Sequence, residues 1–390
     1  MSTVEQRTSL WRLPAMRALV GVTSLGFASY CLTLASLPTY AVLGGTPAAT
    51  AGLVTAVFLL VTILLQGTVP ALTARFGSPR VLAAGLLAMG LPSPLYALDD
   101  GLGWLSALSA VRGAGFAVLT VLGSTLAAQV APVQRRGESI GIYGLAIAVP
   151  NLVAVPAGVA LVLDGHVTLM AWLAASPVLG ILFVPVLARA VADRAETSER
   201  GSGRAAALAA LLPSVVLFGV TLAGGGMVTF LPIERPEGST ATIALLLFGV
   251  TGALSRWRAG LLADRLGGRG LLTASVGVGA AGMLLLVLGL VTSPPVLLLG
   301  AAVFGVGYGA TQNLTLLSAF ARAGEAGTTS ASAVWNAAFD SGTAAGAALL
   351  GLVAAGAGLP ATFVLSAVLL ALVLPLAVLA ARPPRLRPRR

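Results

Sequence analysis

Twelve long apolar runs constrain this chain more than any other feature. A helix crosses a bilayer with about 20 apolar residues, and twelve stretches meet that length. They cover 17–43, 48–73, 79–98, 102–129, 138–163 and 166–188, then 206–233, 239–262, 269–291, 295–320, 328–356 and 360–381. The runs are apolar on every face, which favours helices over the short alternating strands of a barrel. Only 9% of the 390 residues are charged and 57% are hydrophobic, whereas soluble domains carry about a quarter charged residues. Length alone would allow two or three soluble domains, but a chain so poor in charge could not cover a surface facing water. The expected fold is an all-α polytopic membrane protein of twelve transmembrane helices in two pseudo-symmetric six-helix halves.

The basic residues orient the spans. All 23 are arginine. With the abundant alanine and glycine, this suggests a GC-rich bacterial genome. Arg7, Arg12 and Arg17 precede the first run, and the next clusters are Arg75/Arg80, Arg135/Arg136 and Arg189–Arg204. Further along come Arg256–Arg269, Arg322 and the tail "RPPRLRPRR". The opposite connections hold only Arg235, beside the acids Asp99, Asp100, Asp164, Glu234 and Glu237. The positive-inside rule then puts both termini in the cytoplasm, and the implied site is a bacterial inner membrane. The first run reads as a retained span, since no small-residue cleavage signal closes it. The expected organisation is a half over 1–189, a cytoplasmic linker over 190–205, a second half over 206–381 and a basic tail over 382–390. That tail could also touch anionic lipid. Duplication is hinted at by "ALTARFGSPRVL" after span two and "GLLADRLGGRGLL" after span eight.

Several function classes drop out. The net charge of +10 does not read as nucleic-acid binding, because the arginines sit between apolar runs without interleaved aromatics. One cysteine, Cys31, and one histidine, His166, rule out an intramolecular disulfide and the usual zinc or di-iron sets. No phosphate-cradling glycine loop is present, so ATP-driven chemistry is not expected, and neither is a cofactor or metal. The adjacent acids Asp99 and Asp100 stand alone in a short loop, which argues against a magnesium-diphosphate enzyme.

Asp340 stands apart. It is the sole ionisable residue between Glu325 and Arg382, about twelve residues and hence about 18 Å into span eleven. Burial there penalises the charged form, so such a carboxylate can take up and release a proton. It can also serve as a satisfied interhelix tie or touch cargo directly. Asn336 lies one turn earlier on the same face. Gly342 and Gly346 form a small-residue pair.

"GLLADRLGGR" brings a resemblance into view. Through Gly260, Leu262, Ala263, Asp264, Arg265, Gly267 and Arg269 the chain resembles the major facilitator superfamily, in particular bacterial proton-coupled drug and metabolite efflux transporters. The resemblance implies a gate role for Gly260, Asp264, Arg265, Gly267 and Arg269, with Asp264 meeting the start of span five near Gly137 to Ser139. The plain alternative is a solvated turn. The first copy has Pro70 and Ala74 at the matching glycine and aspartate positions, which weakens one of the two locks. Arg112 in span four matches an arginine for which the family suggests proton transfer. An intramembrane arginine also admits a structural role, bonded to carbonyls. Span five carries Gly144, Pro150, Asn151, Pro156 and Gly158, a loose match to the antiporter pattern.

The resemblance further implies that spans one, four, seven and ten line the cavity. The candidates there are Tyr30, Thr33, Arg112, Met227, Phe230, Tyr308, Gln312 and Asn313, with Asn151, Asn336 and Asp340 contributing from neighbouring helices. Tyr30, Phe230 and Tyr308 also read as packing, and Asn313 as a tie between helices. The coupling acids are Asp340, then Glu234, then Glu138, which also reads as a helix cap. A list so poor in charge favours an amphipathic or lipophilic small molecule exported against protons by a functional monomer in contact with membrane lipid. A facilitator or symporter for a neutral solute such as a sugar is the alternative, and a non-transporting receptor or scaffold is another.

Overall fold

The structure is a computed structural model that describes residues 9–195, 203–234 and 240–382; the side chains of 48, 49, 191–195, 233, 234 and 269 lie outside that description. Among the described residues there is no strand. Spans one to six run over Pro14–Leu43, Leu53–Gln66 with Val69–Phe76, Ser78–Leu98, Leu102–Val130, Val133–Leu163 and Val167–Ala190. Spans seven to ten run over Gly203–Pro232, Thr240–Leu266, Gly270–Val291 and Pro294–Ala323. Thr328–Ala381 is continuous in hydrogen bonding but contains two helices, broken at Gly358 with φ 77°. That residue makes spans eleven and twelve. Gly358 takes a left-handed conformation open to glycine, and Pro360 two positions on starts the next helix with φ already set.

Proline also explains the bend in span two. Its two pieces meet at 57°. Pro70 has no N–H to give the Gln66 carbonyl, and its ring would clash with that carbonyl in a straight helix. Span two and span eight nonetheless close on the same turn. Gly77 has φ 81° and Gly267 has φ 80°, each ending its helix where a Cβ would be strained.

The chain divides into two compact units, Met1–Pro132 with Ala146–Ser198, and Val133–Leu145 with Glu199–Arg390. Span five therefore contributes its first turns to the second unit and its remainder to the first. In the first unit, span four is the most enclosed of the spans. Its Gly113 lies so close to span two that a Cβ would fall 2.4 Å from the Phe58 carbonyl oxygen, and its Gly115 stands equally close to the Gly85 carbonyl of span three. In the second unit, spans seven and eleven cross through Gly225, Gly342 and Gly346, where an added Cβ would come within 2.0–2.3 Å of facing atoms. Without a hydrophobic force between helices in lipid, such close backbone contact supplies the attraction.

The outward faces carry leucines such as Leu64, Leu182 and Leu352, exposed by 65%, 75% and 74%. Apolar surface on that scale would drive aggregation in water; in a bilayer it faces hydrocarbon. The chain is a multi-pass membrane protein.

Candidate functional site

Arg112 is wholly buried, and every one of its donors is used. Nε donates to the Met89 carbonyl at 3.0 Å. Nη1 donates to Thr33 Oγ1 at 3.0 Å and to the Tyr96 hydroxyl at 3.3 Å. Nη2 donates to the Ser29 carbonyl and to Ser29 Oγ, at 3.2 and 2.8 Å. A guanidinium has five N–H groups, so the count closes without a carboxylate. Tyr96 lies against the charge as well, 5.3 Å from ring centre to Cζ. The acceptors come from spans one and three, so Arg112 ties three helices of the first unit together.

Beside Arg112 a narrow cleft opens among Tyr30, Thr33, Thr55, Phe58 and Ser109, with about 230 Å³ of empty space including its mouth. Tyr30 stacks on Phe116 at 4.6 Å and on Phe58 at 5.4 Å, so its ring forms a fixed wall. Asn151 is exposed and accepts from Cys31 Sγ at 3.5 Å. Of the sequence candidates, this unit brings together Tyr30, Thr33 and Arg112.

The second unit holds a buried polar cluster that the sequence reading did not collect. Arg256 read as one of several arginines flanking a turn. Span eight runs on to Leu266, however, so Arg256 lies ten residues, about 15 Å, inside its end. It is 7% exposed. Its Nη1 donates to Gln312 Oε1 at 2.8 Å, and its guanidinium lies 5.9 Å from the Tyr143 ring centre and 6.0 Å from that of Trp335. Its Nε and Nη2 have no hydrogen-bond partner among the described residues. Asp340 is half-buried, and it and Arg256 both act electrostatically on Tyr143 and Tyr308. Spans five, eight, ten and eleven thus converge on one charged centre. The available signal was a four-residue spacing, Gly252, Arg256, Gly260, which puts all three on one helical face.

The other candidates separate by what they touch. Asn313 is fully buried and donates through Nδ2 to the carbonyls of Gly137, 3.1 Å, and Arg256, 2.9 Å. Asn336 turns back on its own helix, donating to the Ser332 carbonyl at 2.9 Å. Trp335 Nε1 donates to Thr315 Oγ1 at 3.0 Å. Tyr308 packs with Phe248 and Phe304 at 5.0 and 5.8 Å. Met227 is enclosed in the apolar core of this unit and Phe230 packs at its edge. The side chains of Glu234 and Arg269 lie outside the described residues, as do Arg235, Arg200 and the tail beyond Arg382.

Asp264 sits at the start of the helix Arg136–Leu163. Its Oδ1 accepts from the Gly137 amide at 2.9 Å and its Oδ2 from the Glu138 amide at 2.8 Å. These are free amides of a first helical turn, where the dipole also favours a negative charge. Close by, Arg135 pairs with Glu138 at 2.7 Å, and Arg136 pairs with Glu325. Arg265 points to solvent.

A twelve-span helical membrane protein with repeated glycine turns and two buried arginines within its spans has the architecture of a solute carrier. The chain belongs to the Major Facilitator Superfamily, whose family model matches residues 18–339. The family and the solved structures whose fold it shares are those of membrane transporters. No curated protein sequence matches it. Its fold is similar to the fucose transporter FucP in its outward conformation, at TM-score 0.72 and 13% identity over 96% of this chain and 100% of that one. The human organic anion transporter TETRAN is similar at TM-score 0.74 and 17% identity over 95% and 100%. The proton:xylose symporter XylE, solved with a bromodeoxyglucose, is similar at TM-score 0.73 and 17% identity over 94% of each chain.

Proposed function

We propose that this chain is a secondary active transporter that exports an amphipathic or lipophilic small molecule by alternating access, driven by protons. It works as a monomer in a bacterial inner membrane with both termini in the cytoplasm. The observation that carries the reading is Asp340. Among the described residues it is the one carboxylate deep within a span, half-buried and sharing its surroundings with a buried arginine. Binding a proton there removes a negative charge from the field of Arg256, a change that a two-state carrier can use.

The remaining roles follow from placement. Asp264 on the amides of Gly137 and Glu138 acts as a latch that holds one gate closed, with Gly260 and Gly267 permitting its tight turn and Arg265 and Arg269 on its wet face. Arg112, with all donors occupied, serves the coupling step as a fixed positive charge rather than as a proton carrier. Tyr308 and Gln312 border the Arg256 centre from span ten.

A second reading has a specific observation behind it. The cleft of the first unit is lined by the hydroxyls of Thr33, Thr55 and Ser109 between the rings of Tyr30 and Phe58, and a neutral polyol could take over the hydrogen bonds these hydroxyls now make within the protein once the cleft widens. FucP and XylE carry sugars with protons; at their low identity they lend fold support only.

The test uses purified protein in liposomes with an internal pH dye. Candidate cargoes are added under an imposed pH gradient to wild type and Asp340→Asn. Cargo-dependent proton flux that disappears in the variant while passive exchange persists supports the proposal. Unchanged proton flux makes Asp340 a structural tie. Cargo movement without proton flux leaves a facilitator, and binding without movement leaves a receptor.

A further inference from the structure

The two buried arginines differ in one respect that bears on cargo. Arg112 has spent all five donors on neutral oxygens. Arg256 has spent one edge only. Its Nη1 is taken by Gln312, while Nε and Nη2 are buried and empty among the described residues. These two nitrogens share the side-on edge of the guanidinium, where two parallel N–H bonds meet the two oxygens of a carboxylate.

We propose that the Nε/Nη2 edge of Arg256 is the binding site for the carboxylate of an organic monoanion with an apolar or aromatic body. The inference rests on the transporter reading above and adds the charge and class of the cargo.

The surroundings fit that ligand. Burying an arginine that has unused donors is costly, and the cost falls when an anion takes the empty edge. Asp340 is the carboxylate of the same neighbourhood, yet it leaves both nitrogens without a hydrogen bond. The rings of Tyr143 and Trp335 flank the guanidinium and supply apolar faces for the body of an amphipath. Gly144 makes room for the arrangement. A Cβ there would come within 2.6 Å of Arg256 Cδ and Nε, so the stem rests in space that any other residue would fill. Tyr308 and Asp340 are only half-buried, which leaves the centre an approach. A phosphate dianion is a poorer fit, since a single guanidinium edge offers it one positive charge.

The probes are naphthoate, naphthamide and naphthylmethylammonium, three ligands with one aromatic body and three charges. Binding to the purified full-length protein is measured by calorimetry and by quenching of tryptophan fluorescence. Naphthoate is expected to bind at least about tenfold more tightly than naphthamide, the scale of a charge-assisted bidentate contact. Arg256→Lys keeps the charge but loses the fork, and Arg256→Gln loses both. Both should remove the preference for naphthoate over naphthamide while the elution profile stays as in wild type. A wild type that prefers the amide or the ammonium overturns the proposal, as does an Arg256→Lys protein with the wild-type preference. A preference that emerges only in Asp340→Asn also overturns it, because the edge then belongs to Asp340. Counterflow with the same probes separates the two ideas. Arg256-dependent naphthoate binding without transport leaves the site and removes the transporter reading, while proton-linked transport of naphthamide unaffected at Arg256 does the reverse.

Discussion

Gly137 and Gly260 cross with almost nothing between their backbones. A Cβ on Gly260 would fall 1.9 Å from the Gly137 carbonyl oxygen, and a Cβ on Gly137 would fall 2.3 Å from that of Gly260. The contact is backbone against backbone, so no flexible side chain can yield. It sets the distance at which Asp264, one turn after Gly260, reaches the amides of Gly137 and Glu138.

Gly260→Ala should therefore separate the two helices and break the Asp264 contact with them. Overpacking of this kind costs about 1–3 kcal/mol. The expected outcome is a lower melting temperature in detergent together with slower transport in liposomes. A protein that melts and transports like wild type would contradict the crossing.

Asp264→Ala should destabilise more than Asp264→Asn. The alanine removes both acceptors, at about 0.5–2 kcal/mol for a lost helix cap. The asparagine keeps one acceptor oxygen and loses the charge that favours the helix start. Melting of the two variants side by side checks the order, and equal melting would mean that the carboxylate is solvated.

Arg112→Lys tests whether the first unit depends on the five-donor hub. Lysine brings three donors from a single nitrogen and cannot reach the five acceptor contacts on spans one and three at once. Each buried acceptor left without a donor costs about 1–3 kcal/mol. A pronounced fall in thermal stability is expected, without requiring any change in proton stoichiometry. A variant that keeps wild-type stability would contradict the five-donor hub, whatever it does to proton coupling.

Gly358→Ala isolates a conformational cost. Only Pro360 Cδ lies near the new methyl group, at 3.7 Å, so space is not the issue. At φ 77° and ψ 171° the backbone is in a region essentially reserved for glycine, which costs any other residue about 1–3 kcal/mol. Stability should fall by that amount alone, read as a lower melting temperature, with transport rate per folded molecule unchanged.

Cys31 reports on packing in the first unit. It is wholly buried, so maleimide should label it slowly in the native protein and rapidly after unfolding. Fast labelling of the native protein would place span one differently.

Much of this fold was legible in the sequence, because a bilayer imposes its length on any helix that crosses it. The apolar runs drawn from the sequence and the helices of the structure begin and end within a few residues of each other. Gly267 could be read as a turn because a left-handed backbone admits few residues. Asp264 could be placed near a helix start because its motif ties it there. Arg256 was not legible. Along the chain it sits two residues from Arg258, and both read as basic residues at the edge of a span. In the folded protein Arg258 is exposed and Arg256 is buried, a difference set by helical phase. The partners of Arg256 come from positions 143, 312 and 335, brought to it by three other spans. The sequence determined how many times the chain crosses and where it turns, since those depend on hydropathy and local backbone freedom. Only the tertiary structure decided which arginine is saturated and which keeps an open edge, because that depends on atoms far apart in the chain meeting within hydrogen-bonding distance.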